Sequence, residues 1–149
     1  MSLPQLWLGG AIAVVLLGAA ELPRPLSDYS LHDTYYVIAH AHYVFNLAGA
    51  FVFFAVVYWA FDRVFRVSYS RFLGLAHFAT TLAGVLSMSL PLLAAPGLSV
   101  SRQATIEAFD RLKTMNSIGY WLILAGLVLF AVVVIDAIRR RLAARPATR

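Results

Sequence analysis

The sequence contains no cysteine and few charged residues. Without thiols, the chain can form no disulfide bond and offers no thiolate to a metal ion, so any metal has to be held by nitrogen and oxygen ligands. Charged residues make up 13% of the 149 positions, whereas hydrophobic residues make up 61%. The charged fraction is about half that of a soluble domain. This composition excludes an ordinary soluble domain and indicates an integral membrane protein.

Four apolar stretches are long enough to cross a membrane. A helix rises 1.5 Å per residue, so about 20 apolar residues span a hydrocarbon core of roughly 30 Å. The predicted helices cover about Leu6–Ala20, Tyr35–Phe61, Phe72–Ala95 and Ile118–Ile138. No repeat or soluble domain separates them. The sequence therefore predicts an all-α fold in which residues 1–149 form a single unit of four transmembrane helices.

Polar and aromatic residues near the helix ends lead to two further expectations. Asn116–Ser117 carries side-chain oxygens that commonly cap a helix N-terminus, so we expect the fourth helix to begin just after it. Tyr58–Trp59 and Tyr120–Trp121 lie near predicted helix ends. We expect all four rings to belong to the aromatic belts at the membrane–water interfaces.

The formal net charge of +5 is concentrated at two predicted membrane edges. The arginines there are Arg63, Arg66, Arg71, Arg139, Arg140, Arg141, Arg145 and Arg149. Because positive residues collect on the cytoplasmic side, both termini are predicted to lie inside, N-in and C-in. We expect the bacterial cytoplasmic membrane, with His32 facing outward. The pattern argues against a nucleic-acid partner, which would need a basic soluble face.

The run Leu31–Tyr43 carries three of the four histidines into the start of the second helix. An ionisable residue in hydrocarbon indicates a functional site, and the natural partner of an imidazole is a metal centre. His40 and His42 are two residues apart, hence about 200° apart around a helix, and cannot ligate one ion together. Each can instead serve a different centre on its own side of the helix, a layout for passing electrons.

The remaining candidate ligands lie at the two membrane edges. At the outer rim, His32 and Asp33 combine an imidazole with a carboxylate, which can ligate a hard divalent ion that keeps several waters. The alternative for this pair is a solvated loop. His77 is predicted about 10 Å or more from His42 along the membrane normal, so the two are not expected to hold one haem. We expect His77 to be a buried hydrogen-bonding residue.

The run from His32 to Tyr43 closely resembles the signature of subunit I of the haem–copper oxidases, the cytochrome c oxidase family. The resemblance continues through Gly49–Trp59, Ala76–Phe78 and Thr114–Gly119. It covers nearly the whole chain, as helices nine to twelve of a twelve-helix subunit. It implies that His40 corresponds to the proximal ligand of the high-spin haem and His42 to an axial ligand of the low-spin haem.

The same resemblance implies that His32 and Asp33 match the family's magnesium site near the haem propionates. The copper ligands, the cross-linked tyrosine and the opposite axial histidine belong to earlier helices of the family subunit. We therefore assign no catalytic residue to this chain and do not expect it to reduce oxygen by itself. Two positions depart from the family pattern: Ala41 replaces a usual phenylalanine, and the arginine pair that clamps the propionates is absent around residues 97–100.

Three functional hypotheses follow. The leading one is a subunit I-like, haem-binding membrane protein of respiratory electron transfer, whose partner, among the other oxidase subunits, supplies the missing haem and copper ligands. The second is a self-contained homo-oligomeric b-type cytochrome or haem carrier, in which two protomers sandwich a haem. The third is a non-catalytic assembly or interaction protein. The haem type stays open.

Overall fold

The computed structural model describes residues 1–21, 35–94 and 102–144, with side chains for 1–20, 42–89 and 110–144. The helices of these segments are α1 (Leu3–Glu21), α2 (Tyr35–Arg63), α3 (Arg71–Ala94) and α4 (Arg102–Ala143). Each contains a stretch that is long and apolar enough to cross a membrane. The segments that the structure describes contain no strand. The predicted all-α fold with four transmembrane helices is confirmed.

The start of α4 differs from the expectation. The helix begins at Arg102 and runs for 42 residues, so Asn116–Ser117 lies inside it and the predicted N-cap was wrong. Ser117 Oγ donates to the carbonyl of Lys113 at 3.0 Å, as is usual for a hydroxyl in a helix interior. Residues 102–117 are more polar than the apolar stretch that follows, but they contain no proline or glycine to end a helix.

The helices pack as two pairs, and the pairs meet where α1 contacts α3. α1 lies along α2, α3 lies along α4, and α1 also contacts α3. The backbones of α3 and α4 come close together at Gly84 and Gly119. A Cβ on Gly84 would lie 2.8 Å from the carbonyl oxygen of Gly119, closer than ordinary van der Waals contact. Small residues permit such a crossing, which supplies packing energy between membrane helices.

Three separate parts of the chain lie close together at one end of the bundle. The backbone N–H of Ser70 donates to Asp136 Oδ2 at 2.7 Å, so a carboxylate from α4 caps the N-terminus of α3. Arg140 Nε donates to the same oxygen at 2.9 Å. A guanidinium nitrogen of Arg71 donates to the carbonyl of Met1 at 3.1 Å. The N-terminus, the α2–α3 loop and the end of α4 therefore lie together.

Candidate functional site

Both candidate haem ligands lie on α2. The helix is continuous from Tyr35 to Arg63, so positions 40 and 42 are about 200° apart around its axis. The side chain of His42 is exposed on the helix surface. The side chain of His40 lies outside the described residues, as do His32 and Asp33 entirely. The structure thus places two of the four predicted ligands on one helix.

The face of α2 around His42 is open and apolar. Phe45, Phe53 and Val56 are 70%, 58% and 56% exposed. Gly49 follows His42 by two helical turns and shares its face, since residues seven apart lie above one another. A Cβ on Gly49 would meet no heavy atom within 4 Å. The imidazole therefore stands on an uncovered surface that contains a gap beside the helix backbone.

The residues on this surface fit a haem in their chemistry. A neutral imidazole nitrogen is a common axial ligand of haem iron, and one protein nitrogen suffices on each side of the iron. The exposed apolar side chains and the open Gly49 leave room for a flat, apolar macrocycle next to His42. Within the part of the chain that the structure describes, no three His, Asp or Glu residues gather into a cluster able to hold a metal ion.

His77 on α3 has the opposite environment, at the centre of the packed core. It is fully buried, and its Nδ1 lies 2.9 Å from the hydroxyl of Tyr58, within hydrogen-bond distance. The ring centroids of Trp7 and Phe54 each lie 4.6 Å from that of His77, and that of Phe130 lies at 5.3 Å. Side chains from the other three helices therefore enclose it. The prediction of a buried, hydrogen-bonded His77 is confirmed.

The partner of His77 corrects the expected aromatic belt. Tyr58 is fully buried against Trp7 and His77 rather than placed at an interface, whereas Trp59, Tyr120 and Trp121 are exposed as expected. Neighbouring residues on a helix point about 100° apart, so Tyr58 and Trp59 need not share an environment. Sequence reasoning missed the Tyr58–His77 pair because it depends on how α2 meets α3. The sequence offered one indication of such a pair, because a buried histidine needs a hydrogen-bond partner.

The pKa of one tyrosine just outside the membrane-spanning segments is shifted by its surroundings. Tyr69, in the α2–α3 loop, packs against Tyr58 with ring centroids 5.4 Å apart. Burial raises the pKa of Tyr69 to about 12, and the neighbouring carboxylate of Asp62 acts in the same direction. The aromatic core around His77 thus extends to the loop and ends at a carboxylate.

Comparisons with known proteins match the segment that carries these helices. Residues 3–126 match the family described as cytochrome c and quinol oxidase polypeptide I. Cytochrome c oxidase subunit 1 of Cereibacter sphaeroides is 29% identical over 142 residues, which cover 92% of this chain and 25% of that protein. The subunit 1 of Pecten maximus is 36% identical over 85 residues, covering 55% of this chain and 18% of that protein.

The subunit 1 of Debaryomyces hansenii is 33% identical over 94 residues, or 62% of this chain and 18% of that protein. The chain thus spans a quarter or less of the length of these three relatives. The family match contains α1, α2 and α3 and extends into α4 as far as Gly126. The chain is a cytochrome c oxidase subunit I-like membrane protein and belongs to the cytochrome c and quinol oxidase polypeptide I family.

Proposed function

We propose that this chain binds haem through His40 and His42 and takes part in respiratory electron transfer, together with a partner that supplies the missing haem and copper ligands. One observation carries the proposal: both histidines lie on one continuous helix inside the matched segment, and His42 stands on an open apolar face. The relatives are each named cytochrome c oxidase subunit 1, which supports the respiratory role.

The geometry of α2 suits two redox groups held close together. Two residues of helix offset the ligands by about 3 Å along the axis and by about 200° around it, so each histidine addresses its own side. A bound haem supplies one-electron chemistry at each position. The second half of α2 anchors the first, because Phe51, Phe54 and Tyr58 are buried against α1 and α3. The ligands are therefore held by a helix that is fixed elsewhere.

The proposed partner covers the exposed apolar face of α2 and supplies the ligands that this chain lacks. The exposed apolar residues Phe45, Phe53 and Val56 would lie against a haem or a neighbouring helix, which keeps water from the redox centre. The opposite ligand of the low-spin haem and the copper ligands come from the partner, because His77, the remaining histidine of the spans, is enclosed by the core. A magnesium ion at His32 and Asp33 is part of the same proposal and depends on the family resemblance.

The spectrum of the haem tests this proposal. The chain is purified alone and together with a co-expressed polypeptide that carries the remaining helices of the subunit. Reduced-minus-oxidised spectra and a pyridine haemochrome assay then report haem type and stoichiometry. We expect two haem signals in the complex, with His40→Ala removing the high-spin signal and His42→Ala the low-spin signal. His77→Phe is the matched control, because it removes an imidazole outside the proposed sites and should leave both signals.

The outcomes separate the three hypotheses. Loss of the same single signal in both alanine variants would contradict the two-centre arrangement. A low-spin haem at full occupancy in the chain alone, lost with dissociation of an oligomer, would instead establish a homo-oligomeric cytochrome. A complex without haem, despite ample supply, would reject haem binding and favour an assembly or interaction role.

The proposal includes an orientation in the bacterial cytoplasmic membrane. Met1 and the last turns of α4 lie at the same end of the bundle, where arginines of the α2–α3 loop also gather. Since basic residues favour the cytoplasmic side, this end is inside and His32 faces outward. A reporter fused after Arg149 should read cytoplasmic. A periplasmic reading would reject the orientation without affecting the haem ligands.

A further inference from the structure

An apolar groove opens between the ends of α2 and α4, at the arginine-rich end of the bundle. It has a volume of about 270 Å³, and its lining includes Phe61, Phe65, Val134, Ala137, Ile138 and Arg141. Arg141 is the charged member of this lining. A transmembrane helix is about 10 Å across with its side chains, so the groove is too small for a partner helix. It can admit a single hydrocarbon chain.

The three consecutive arginines at the end of α4 have three different environments. Arg140 forms an ion pair with Asp136, with Nε 2.9 Å from Oδ2. Arg141 lies at the groove, and Arg139 lies outside it. This division follows from the helix, which turns successive side chains by about 100°. Among the described residues, Arg141 has no carboxylate partner. Its guanidinium is therefore available to an anion at the groove.

The surroundings strengthen the positive potential at this place. Arg63, Arg66 and Arg71 belong to the end of α2, the loop and the start of α3, while Val67 of the same loop lines the groove. Asp62 and Asp136 are the acidic residues of this end, and Asp136 is already occupied by Arg140. A guanidinium matches the geometry of a phosphate with two parallel hydrogen bonds. Basic pockets between membrane helices bind anionic lipid headgroups in the same way.

We propose that this groove binds one anionic phospholipid, with an acyl chain on Phe61, Val134 and Ile138 and the phosphate on Arg141. Val134 and Arg141 are separated by about 10 Å along α4, so the apolar wall and the cation are arranged along the direction of a lipid. An apolar wall alone would accept any lipid, and a cation alone would accept any phosphate. Because zwitterionic phospholipids also carry a phosphate, the preference for a negatively charged lipid comes from the surplus of arginines around Arg141, which the cation of a zwitterionic headgroup opposes.

Lipid binding to the full chain tests this proposal. The protein is purified in detergent and titrated with dioleoylphosphatidylglycerol or dioleoylphosphatidylcholine, and native mass spectrometry gives the dissociation constant of the first bound lipid. We expect tighter binding of the anionic lipid. Arg141→Gln should raise its dissociation constant about fivefold, the effect of one basic residue at a membrane surface. Arg139→Gln removes the same charge two residues away, outside the groove, and should raise the constant clearly less than Arg141→Gln does.

Two further measurements distinguish the sources of the affinity. Val134→Phe fills the groove without changing the charge and should also weaken binding of the anionic lipid. Glycerol phosphate, the soluble headgroup alone, should not displace the lipid at equal concentration. Equal weakening by Arg139→Gln and Arg141→Gln would overturn the proposal in favour of a general surface potential. Equal binding of the two lipids, or displacement by glycerol phosphate, would overturn it as well.

Discussion

His77 and His42 both lie in apolar helices, but the fold treats them in opposite ways. His77 is enclosed by side chains from the other three helices, and Tyr58 lies within hydrogen-bond distance of its Nδ1. His42 is exposed on a face of α2 that also contains an open glycine. Burial of an imidazole stabilises packing, whereas an imidazole exposed on an apolar face can be reached by a ligand. The same residue type therefore serves structure in one helix and, as proposed, function in the other.

The same difference separates two sides of α2. One side buries Phe51, Phe54 and Tyr58 beyond Gly49, and Ala48 just before it, in the core of the bundle. The other side carries His42 and is exposed on both sides of Gly49. One side of the helix thus holds the bundle together, and the other side stays exposed. The predictions below compare the two sides directly.

The largest difference in stability is expected between alanine substitutions of His77 and of His42 in the haem-free protein. His77→Ala leaves a cavity among Trp7, Phe54 and Phe130 and leaves the Tyr58 hydroxyl without its partner, so it should destabilise the protein by on the order of 3 kcal/mol. His42→Ala should change stability by less than about 0.5 kcal/mol, as exposed substitutions do. Thermal unfolding in detergent, followed by near-ultraviolet circular dichroism, measures both. Equal losses of stability would contradict the difference between the buried and the exposed histidine.

A smaller difference in stability is expected between two glycines, because Gly84 lies in a crowded helix contact and Gly49 faces open space. Gly84→Ala places a methyl group against the carbonyl of Gly119 and should separate α3 from α4, with a loss of about 1–3 kcal/mol. Gly49→Ala enters open space and should stabilise the haem-free chain by about 0.5–1 kcal/mol, because alanine favours a helix. The same thermal unfolding experiment compares them. A destabilised Gly49→Ala variant would show that α2 is covered in this region.

The smallest effect concerns Tyr69, where the aromatic core reaches the loop. Burial and Asp62 raise its pKa to about 12, above the ordinary value of 10.0. Because the folded state holds this proton more tightly, the contribution of Tyr69 to stability is complete below pH 10 and is lost as the pH rises through about 12. The difference in tyrosinate absorbance between the unmodified chain and Tyr69→Phe measures this pKa. Asp62→Asn should lower it toward the ordinary value, and an unchanged titration would exclude the carboxylate as a cause.

Much of the candidate site is predictable because it depends on local pattern. The periodicity of a helix sets the angle between His40 and His42, and hydropathy identifies the spans, of which α2 and α3 end within two residues of the expected positions. The exposure of His42 is not predictable in this way, since any face of a uniformly apolar helix can be buried by a neighbour. Only the packing of α1 and α3 against α2 decided which face stays open.

Composition and local order alone establish that this chain is helical, crosses a membrane and brings two histidines onto one helix, because hydropathy and helical period act within a single segment. Tertiary structure decided that Tyr58 partners His77 and that Asp136 caps α3. It also separated the three arginines of α4 into an ion-paired residue, a groove residue and a residue outside the groove. These outcomes depend on contacts between residues far apart in the chain, which no local pattern specifies.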